Sequence, residues 1–441
     1  MVEQHGRGLP HRLTSGPRPS PVTSRERVLA AIAHRAPDRV PVDLGATPSS
    51  GISAIAYGRL KQHLGLTGGP TRVYDVVQQL AQPEEMILDR FGIDAVDLGR
   101  TFNTEAAAWY DFRLGDGQSA QYPAWFHPER QPDGSFIARL PDGTDIAHMP
   151  AGGTFFDQTC FPYLDGYPPD FRDLDQDMGR ILWSALVHSP WDHARDPGFW
   201  DTLRQRTLAL RQSTDRALML VFGCNLFEWG TFLRRVDGFL YDLAAEPETV
   251  EALLDALMER HLAGLEKVCR AVGDTADICR FGDDLGTNGG PFMSPAMYRR
   301  FFKPRHTQLC AYVHRHSRMK TFLHSCGSIH ALLPDLIEAG FDVINPVQTN
   351  CRNMEPERLK RDFGRDICFW GGGCDTRHVL PSATPAEVKA HVHRQLEVFA
   401  PGGGFVFNTV HNILPEVPPQ NIVAMYEAVA EFNGTALPRA G

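Results

Sequence analysis

Short apolar runs alternate with amphipathic helical segments along most of this chain. The apolar runs cover residues 40–44, 95–98, 217–222, 278–282, 320–323, 342–347, 367–370 and 405–407. Helical spacing of apolar positions follows over residues 247–272, 297–316, 329–339, 354–361, 385–399 and 419–432. Strands that alternate with helices indicate parallel β/α units. Eight such runs favour a closed (β/α)8 TIM barrel over an open doubly wound sheet. No G-x-G-x-x-G motif follows the first run, which argues against a dinucleotide-binding fold.

Two segments depart from this alternation. Residues 1–22 are polar and rich in Pro, Gly, Ser and Arg, so we expect a disordered N-terminal tail there. A helix is expected to begin after Thr23 or Ser24, and residues 23–441 are expected to form a single barrel domain. Residues from about 101 to 175 are rich in aromatic side chains, and their Asp-Gly pairs at 116–117, 133–134 and 142–143 are typical of hairpin turns. We therefore predict an antiparallel β insertion at about 101–175.

Composition narrows the class of protein. Hydrophobic residues make up 42% and charged residues 22%, as in ordinary globular proteins. The net charge of −9 provides no attraction for nucleic acid or an anionic membrane. No apolar run approaches the roughly 20 residues of a membrane span, and the N-terminal segment lacks the apolar core of a secretory signal. Nine scattered cysteines do not resemble a disulfide-stapled domain. We expect a reduced, cytoplasmic protein with a small-molecule substrate.

The most specific chemical feature is His324-x-Cys326 at a predicted strand end. Active sites of β/α barrels lie at the carboxyl ends of the strands, and residues two apart in an extended segment point to the same side. One strand end can thus offer an imidazole and a thiolate to a zinc ion, which needs about three protein ligands in a catalytic site. His411 and Cys374 each follow a later strand and are candidates for the third ligand. The periodicity of the sequence does not indicate which of the two residues is the third ligand.

Acidic residues follow two other predicted strands. Asp283 and Asp284 form a carboxylate pair that could serve as a general acid or bind a cation, and the alternative is that one of them caps the following turn. Glu228 begins a predicted helix, where it could bind substrate or metal or simply interact favourably with the helix dipole. We take all three as candidate catalytic residues.

Four further residues are candidates for substrate binding. Gly372 and Gly373 belong to a glycine run that could let a substrate approach the backbone, although a triple glycine is also an ordinary loop. Gln348 and Asn408 follow the sixth and eighth predicted strands and would reach the same end of the barrel.

Over nearly all of residues 23–433 the chain resembles the uroporphyrinogen decarboxylase superfamily. The motifs that carry the resemblance are RERVLAAIAHRAPDRVPVDLGAT, FGDDLG, FLHSCGSIHALLPDLIEAGFDVINPVQ, FWGGGCDT and NTVHNILPEVPPQNIVAMYEAV. The superfamily is known for a (β/α)8 barrel, which agrees with the independent strand count. It contains two chemistries.

One branch is the haem-pathway decarboxylase, which uses no cofactor and carries an Arg-rich loop of the kind M-R-Q-A-G-R-Y after its first strand. A substrate with many carboxylates needs guanidinium partners, and residues 44–51 of this chain contain no arginine. The sequence therefore argues against the substrate of that branch. The other branch is the zinc methyltransferases, whose metal motif is H-x-C with a distant third Cys. His324 and Cys326 match the first pair. Near the third position this chain has His411 and no cysteine, so the resemblance makes His411 the preferred third ligand and Cys374 the second choice.

The resemblance implies a zinc-dependent methyltransferase. Such an enzyme would move a methyl group between two molecules. One is a corrinoid carried by a partner protein, or a methylated small molecule, and the other is a thiol-type acceptor. Asp283 or Asp284 would handle a proton or orient the substrate. Two alternatives remain open: a cofactor-free decarboxylase of a tetrapyrrole or other carboxylic acid, and a non-catalytic barrel that binds a corrinoid or tetrapyrrole. A homo-oligomer is compatible with each of them.

Overall fold

The computed structural model describes residues 22–66 and 68–438, so the tail predicted over 1–22 lies outside the described residues except for Val22. The strands are β1 (Ile52–Ser53), β2 (Val73–Asp75), β3 (Leu80–Ala81), β4 (Ala95–Asp97), β5 (Trp109–Arg113), β6 (Ser119–Pro123), β7 (Glu129–Arg130), β8 (Phe136–Arg139), β9 (Asp145–Met149), β10 (Asp157–Gln158), β11 (Ala217–Gly223), β12 (Ile278–Gly282), β13 (Lys320–His324), β14 (Val343–Asn345), β15 (Cys368–Trp370) and β16 (Phe405–Val406). The helices are α1 (Ser24–Ile32), α2 (Ala54–His63), α3 (Glu85–Phe91), α4 (Leu174–Met178), α5 (Phe199–Ser213), α6 (Phe227–Arg234), α7 (Val236–Ala245), α8 (Pro247–Val272), α9 (Pro295–Phe301), α10 (Lys303–His316), α11 (Leu333–Ala339), α12 (Pro356–Phe363), α13 (Pro385–Phe399) and α14 (Pro419–Phe432).

A parallel sheet forms the centre of the molecule. Seven strands of the described chain follow one another in the order β4, β11, β12, β13, β14, β15 and β16, and every neighbouring pair is parallel. Consecutive strands lie side by side, with helices between them in the chain, as in a β/α barrel. The loops that follow these strands therefore gather at one end of the sheet.

Residues 40–44 close this sheet into a ring. Val42 pairs in parallel with Phe407, next to β16. On the other side the backbone N–H of Asp94, which precedes β4, donates to the Val42 carbonyl at 2.7 Å. The carboxylate of Asp94 takes the place of a backbone carbonyl here, because its Oδ2 accepts the Val42 N–H at 3.0 Å. With this eighth segment the predicted (β/α)8 barrel is confirmed.

The barrel interior is filled by small and apolar side chains that alternate along the strands. Ala217 and Met219 of β11, Ile278 of β12 and Phe322 of β13 belong to one buried cluster. Helix α1 contributes Val28, Ala31 and Ile32 to the same cluster and so covers the amino-terminal end of the strands. Thr23, one of the two expected caps, is the N-cap of this helix and forms a capping box with Glu26. The interior is therefore a packed core below the strand ends.

An antiparallel insertion lies between β4 and α4. Strands β5 and β6 form a hairpin, and β7 to β10 form a four-stranded antiparallel sheet in the order β10, β9, β8, β7. Gly117, Gly134 and Gly143, the glycines of the three Asp-Gly pairs predicted to form hairpin turns, have a positive φ of between 85° and 88°, which fits tight turns. This finding confirms the predicted β insertion. Among the described helices, none has both the length and the apolar character needed to cross a bilayer.

Candidate functional site

A cavity of about 290 Å³ opens at the carboxyl ends of the barrel strands. Its walls come from several strand ends and from the segments that cover them, including Ser49, Gln78, Trp183, Glu228 and His324. The volume is at the lower end of the range of small-molecule sites. Polar and charged side chains contribute much of the lining, so the cavity suits a small polar ligand.

His324 and Cys326 meet at the rim of β13. The His324 Nε2 atom lies 3.4 Å from the Cys326 Sγ atom. Two ligands of a tetrahedral zinc ion, each about 2.0–2.3 Å from the metal, are separated by roughly this distance. His324 is buried, and burial lowers its pKa to about 3, which keeps the imidazole neutral at physiological pH. A neutral imidazole is the form that binds a metal ion.

His411 reaches the same point from the loop after β16. One ligand atom each of His324, Cys326 and His411 lie within 4.8 Å of one another, and the two imidazole rings are 5.7 Å apart between centroids. Burial lowers the pKa of His411 as well. Two neutral imidazoles and one sulfur form a donor set that zinc accepts. Cys374, the other candidate for a third ligand, is fully buried and does not belong to this group.

The thiol of Cys326 lies in an acidic environment. Burial and the negative charges of Asp284 and Glu228 raise its pKa well above the usual value for a thiol. A bound divalent cation would offset that effect, since it replaces the proton on the sulfur. The acidic surroundings and the sulfur donor together favour a cation at this position.

Asn345, at the end of β14, fixes the orientation of His324. The Asn345 side-chain N–H donates to the Trp370 carbonyl at 2.8 Å, so its Oδ1 atom must act as an acceptor. That oxygen lies 2.8 Å from His324 Nδ1 and also accepts from the Ser49 hydroxyl at 2.7 Å. The proton of the neutral imidazole therefore sits on Nδ1, and the Nε2 lone pair faces Cys326. Metal-binding histidines are commonly oriented in this way.

Removing the Asn345 carbonyl should weaken metal binding. We expect Asn345→Ala to lower zinc affinity by about 10- to 100-fold, the usual effect of losing an outer-shell partner. Asn345→Asp keeps an acceptor for His324 and should recover most of the affinity. Competition with a chromophoric chelator measures both constants. Equal losses in the two variants would show that Asn345 acts on packing and not on the imidazole.

The two neighbouring aspartates occupy different environments. Asp283 is fully buried and faces away from the cavity, where it accepts hydrogen bonds from the backbone N–H groups of Leu226 and Glu228 and lies 3.2 Å from His306 Nε2. It thus caps the start of α6. Asp284 lines the cavity, and its Oδ1 accepts the Cys326 N–H at 2.8 Å and lies 3.4 Å from His324 Nε2. Of the two, Asp284 is the one that can touch a ligand.

Glu228, at the start of α6, also lines the cavity. Its Oε2 atom accepts a hydrogen bond from the Asn225 side chain. Burial together with the charges of Asp284 and Asp283 raises the pKa of Glu228 well above its usual value. A carboxyl group with a raised pKa next to a ligand cavity can donate a proton.

The four residues predicted to bind substrate pack the strand ends and do not line this cavity. Gln348 Oε1 accepts the Gly327 N–H. Gly373 donates its N–H to the Asn408 carbonyl at 2.9 Å, and a Cβ atom on Gly373 would lie 2.4 Å from the Phe407 ring. Gly372 has a positive φ of 77° and lies against Val347. The glycine run thus permits close packing of neighbouring loops.

Two residues of the site were missed from the sequence. Arg280 lies in the middle of β12 and lines the cavity, and Asn345 orients His324. The alternation of inward and outward side chains would have pointed to both. Arg280 shares the inward face with Ile278, and Asn345 shares it with Val343. A charged or amide side chain on the inward face of a predicted barrel strand would therefore have identified both residues as part of the site.

Comparison with known proteins relates the second half of the chain to one family. Residues 228–432 match the model of the family "Uroporphyrinogen decarboxylase (URO-D)". A uroporphyrinogen decarboxylase of Magnetococcus marinus is 26% identical over 205 residues, which cover 44% of this chain and 51% of that protein. The methylcobamide:CoM methyltransferase MtaA of Methanosarcina barkeri is 26% identical over 200 residues, covering 45% and 53%. The chain thus spans about half the length of the curated relatives it matches.

A similar fold is found among solved structures. A methyltransferase from Methanosarcina mazei superposes with a TM-score of 0.57 at 18% sequence identity, covering 93% of this chain and 99% of that one. At this level of identity the match concerns the fold. The shared architecture therefore extends beyond residues 228–432 to nearly the whole barrel.

Proposed function

Because residues 228–432 match the model of the uroporphyrinogen decarboxylase (URO-D) family, we propose that the chain is one of the methyltransferases of this superfamily and depends on zinc. The zinc ion would be held by His324, Cys326 and His411. The enzyme would move a methyl group between a corrinoid, or a methylated small molecule, and a thiol-type acceptor. A corrinoid would be presented by a partner protein.

The observation that carries this proposal is the convergence of three donors from two distant strand ends. His324 ends β13, Cys326 follows it and His411 follows β16, yet their ligand atoms lie within 4.8 Å of one another. His324 and His411 also line the cavity, so a metal held by them would be accessible to a small ligand. When bound, zinc stabilises a thiolate at neutral pH and so supplies a nucleophile.

The residues around the three donors can orient the ligands, transfer a proton and enclose the substrate. Asn345 holds the His324 proton on Nδ1, which leaves Nε2 available as a ligand. We assign the proton-handling role to Asp284, whose carboxylate borders the cavity, and a positioning role to Asp283, which holds the start of α6. Glu228, with its raised pKa, can serve as a second proton donor. The cavity of about 290 Å³ encloses a small acceptor, whereas a corrinoid has to be presented at its rim.

Metal analysis combined with a methyl-transfer assay tests the proposal. Purified protein should contain about one zinc per chain and should catalyse methyl transfer from methylcobalamin to a thiol such as 2-mercaptoethanol. His411→Ala should lower both quantities to near background, because a catalytic site with two protein ligands holds zinc poorly. Cys374→Ala is the matched control and should retain zinc, since Cys374 is buried outside the group. Full methyl-transfer activity after complete removal of metal would contradict the role of zinc, whereas decarboxylation without metal and without methyl transfer would favour a cofactor-free decarboxylase.

A further inference from the structure

A much smaller cavity lies between the barrel and the antiparallel insertion. Its volume of about 20 Å³ is enough for one particle the size of a water molecule. Asp97 at the end of β4 lines it from the barrel, and Trp109 of β5 lines it from the insertion. Asp192 lines it from a third segment, which also covers the main cavity through Ala185 and His188. Three parts of the molecule therefore meet at this point.

Three oxygen atoms of residues that line this small cavity have no hydrogen-bond partner within the described part of the chain. They are Tyr74 Oη, Asp97 Oδ1 and Asp192 Oδ1, and each atom is buried. The Asp192 side chain is only 8% exposed, and its other oxygen accepts from the Asn103 side chain at 2.7 Å and the Ser189 hydroxyl at 3.1 Å. Buried polar atoms without partners are rare and costly. Three of them around a space of this size point to an occupant that contacts all three.

Asp97 carries a charge that the chain leaves largely uncompensated. Among the described residues, no arginine or lysine nitrogen lies within 4.0 Å of its carboxylate. Arg100 also lines the cavity, but its guanidinium is paired with Glu85 at 2.8 Å. Burial raises the pKa of Asp97 to about 7, although backbone N–H groups of residues 98–100 and the charge of Arg100 act in the opposite direction. The buried Asp94, by contrast, pairs with two arginines. A cation beside Asp97 would stabilise its ionised form.

Asp192 brings a second carboxylate to the same cavity. The His193 Nε2 atom lies 3.8 Å from Asp192 Oδ2, the oxygen that is already hydrogen-bonded. The two ring nitrogens of His193 lie 2.8 Å from Asn103 Oδ1 and from Asp196 Oδ2, so they are engaged away from the free Oδ1. A neutral water molecule can donate to two carboxylates but leaves both charges in place. Because buried charges are costly unless they are offset, the charges favour a cation as the occupant.

We propose that this cavity binds one monovalent cation of about the size of a water molecule, K⁺ or NH₄⁺, through Tyr74, Asp97 and Asp192. Carboxylate and hydroxyl oxygens are ligands that hard cations prefer. Divalent ions fit less well, since Ca²⁺ takes about six to eight oxygen ligands and Mg²⁺ retains several waters, for which the cavity has no room. The cation would join the end of β4 to the segment that covers the main cavity. None of the three residues is a zinc donor, so the inference is independent of the proposed function.

Melting temperatures in different chloride salts test this site. Protein dialysed into choline chloride is the reference, because choline keeps the ionic strength constant and is too large for the cavity. KCl or NH₄Cl should raise the melting temperature by about 3 °C once the cation reaches about 100 times its dissociation constant. Stabilisation by only one of the two salts identifies the cation that the site prefers. Asp192→Asn removes one charge with little change of shape and should abolish the shift. The matched control is Asp196→Asn, which alters a 63% exposed carboxylate next to His193 and should retain it.

Equal melting temperatures of wild-type protein in the three salts would overturn the proposal. A full shift in Asp192→Asn would do the same, because the cation would then be bound elsewhere. Crystals of wild-type protein soaked in RbCl decide the question if the variant does not fold, since Rb⁺ replaces K⁺ or NH₄⁺ and scatters anomalously. An anomalous peak between Tyr74, Asp97 and Asp192 supports the site. Its absence means that the cavity holds only water and rejects the proposal.

Discussion

Replacing Cys326 with serine is expected to remove zinc and methyl-transfer activity together. The sulfur is the one donor of the group that carries a negative charge when it binds a cation, and a serine hydroxyl at the same place stays protonated at neutral pH. We expect the zinc content to fall from about one to below about one-tenth per chain, with activity at background. Elemental analysis after gel filtration and the methylcobalamin assay measure the two quantities on the same sample.

The control for this variant is Cys160→Ser. Cys160 is a half-buried free thiol of the insertion and lies outside the donor group, so this change also removes one cysteine of the nine. It should leave zinc and activity unchanged. A Cys326→Ser protein that still bound one zinc per chain would contradict the assignment of the sulfur as a ligand. Loss of activity with zinc retained would place Cys326 in substrate binding instead.

Asp94→Ala is expected to produce the largest loss of stability. Asp94 is completely buried at the seam between residues 40–44 and β4, where its carboxylate accepts from Val42 N–H and pairs with Arg27 and Arg39. Removing it leaves an unpaired strand N–H and takes from the buried Arg27 guanidinium its one buried carboxylate partner. Breaking a buried ion pair in this way costs about 3–5 kcal/mol of unfolding free energy. Denaturant titration followed by circular dichroism measures the change.

Asp38→Ala supplies the matched comparison. Asp38 binds the same arginine, Arg27, at 2.8 Å, but its side chain is 41% exposed. Solvent-exposed ion pairs contribute about 0–1 kcal/mol, so this variant should unfold at nearly the wild-type denaturant concentration. If both variants lost the same free energy, the seam would not depend on the buried carboxylate.

The sequence pattern predicted the barrel well because strand and helix periods are local properties. The helices predicted over 247–272, 385–399 and 419–432 coincide with α8, α13 and α14. The helix predicted over 297–316 is divided into α9 and α10, since Pro304 lies in the first turn of α10 and cannot donate an N–H to continue α9. Residues 40–44 are joined to the segment before β4 partly through the Asp94 carboxylate, which accepts a backbone N–H in place of a carbonyl. The periodicity of the sequence does not reveal such a contact.

Only the part of the site that depends on the geometry of a single strand could be predicted from the sequence. His324 and Cys326 are two residues apart at one strand end, so their proximity follows from the strand period. The choice between His411 and Cys374 depends on how the loops after β15 and β16 pack, which requires contacts between distant residues. Likewise, Asp283 and Asp284 are adjacent in the chain and face opposite surroundings.

The seam has a consequence for biosynthesis. Val42 pairs with Phe407, so the ring cannot close until residue 407 has left the ribosome. His411, the last of the three donors in the chain, becomes available at nearly the same moment. A shorter nascent chain therefore lacks both a closed barrel and the complete donor group, so the three donors can act together only after residue 411 has emerged.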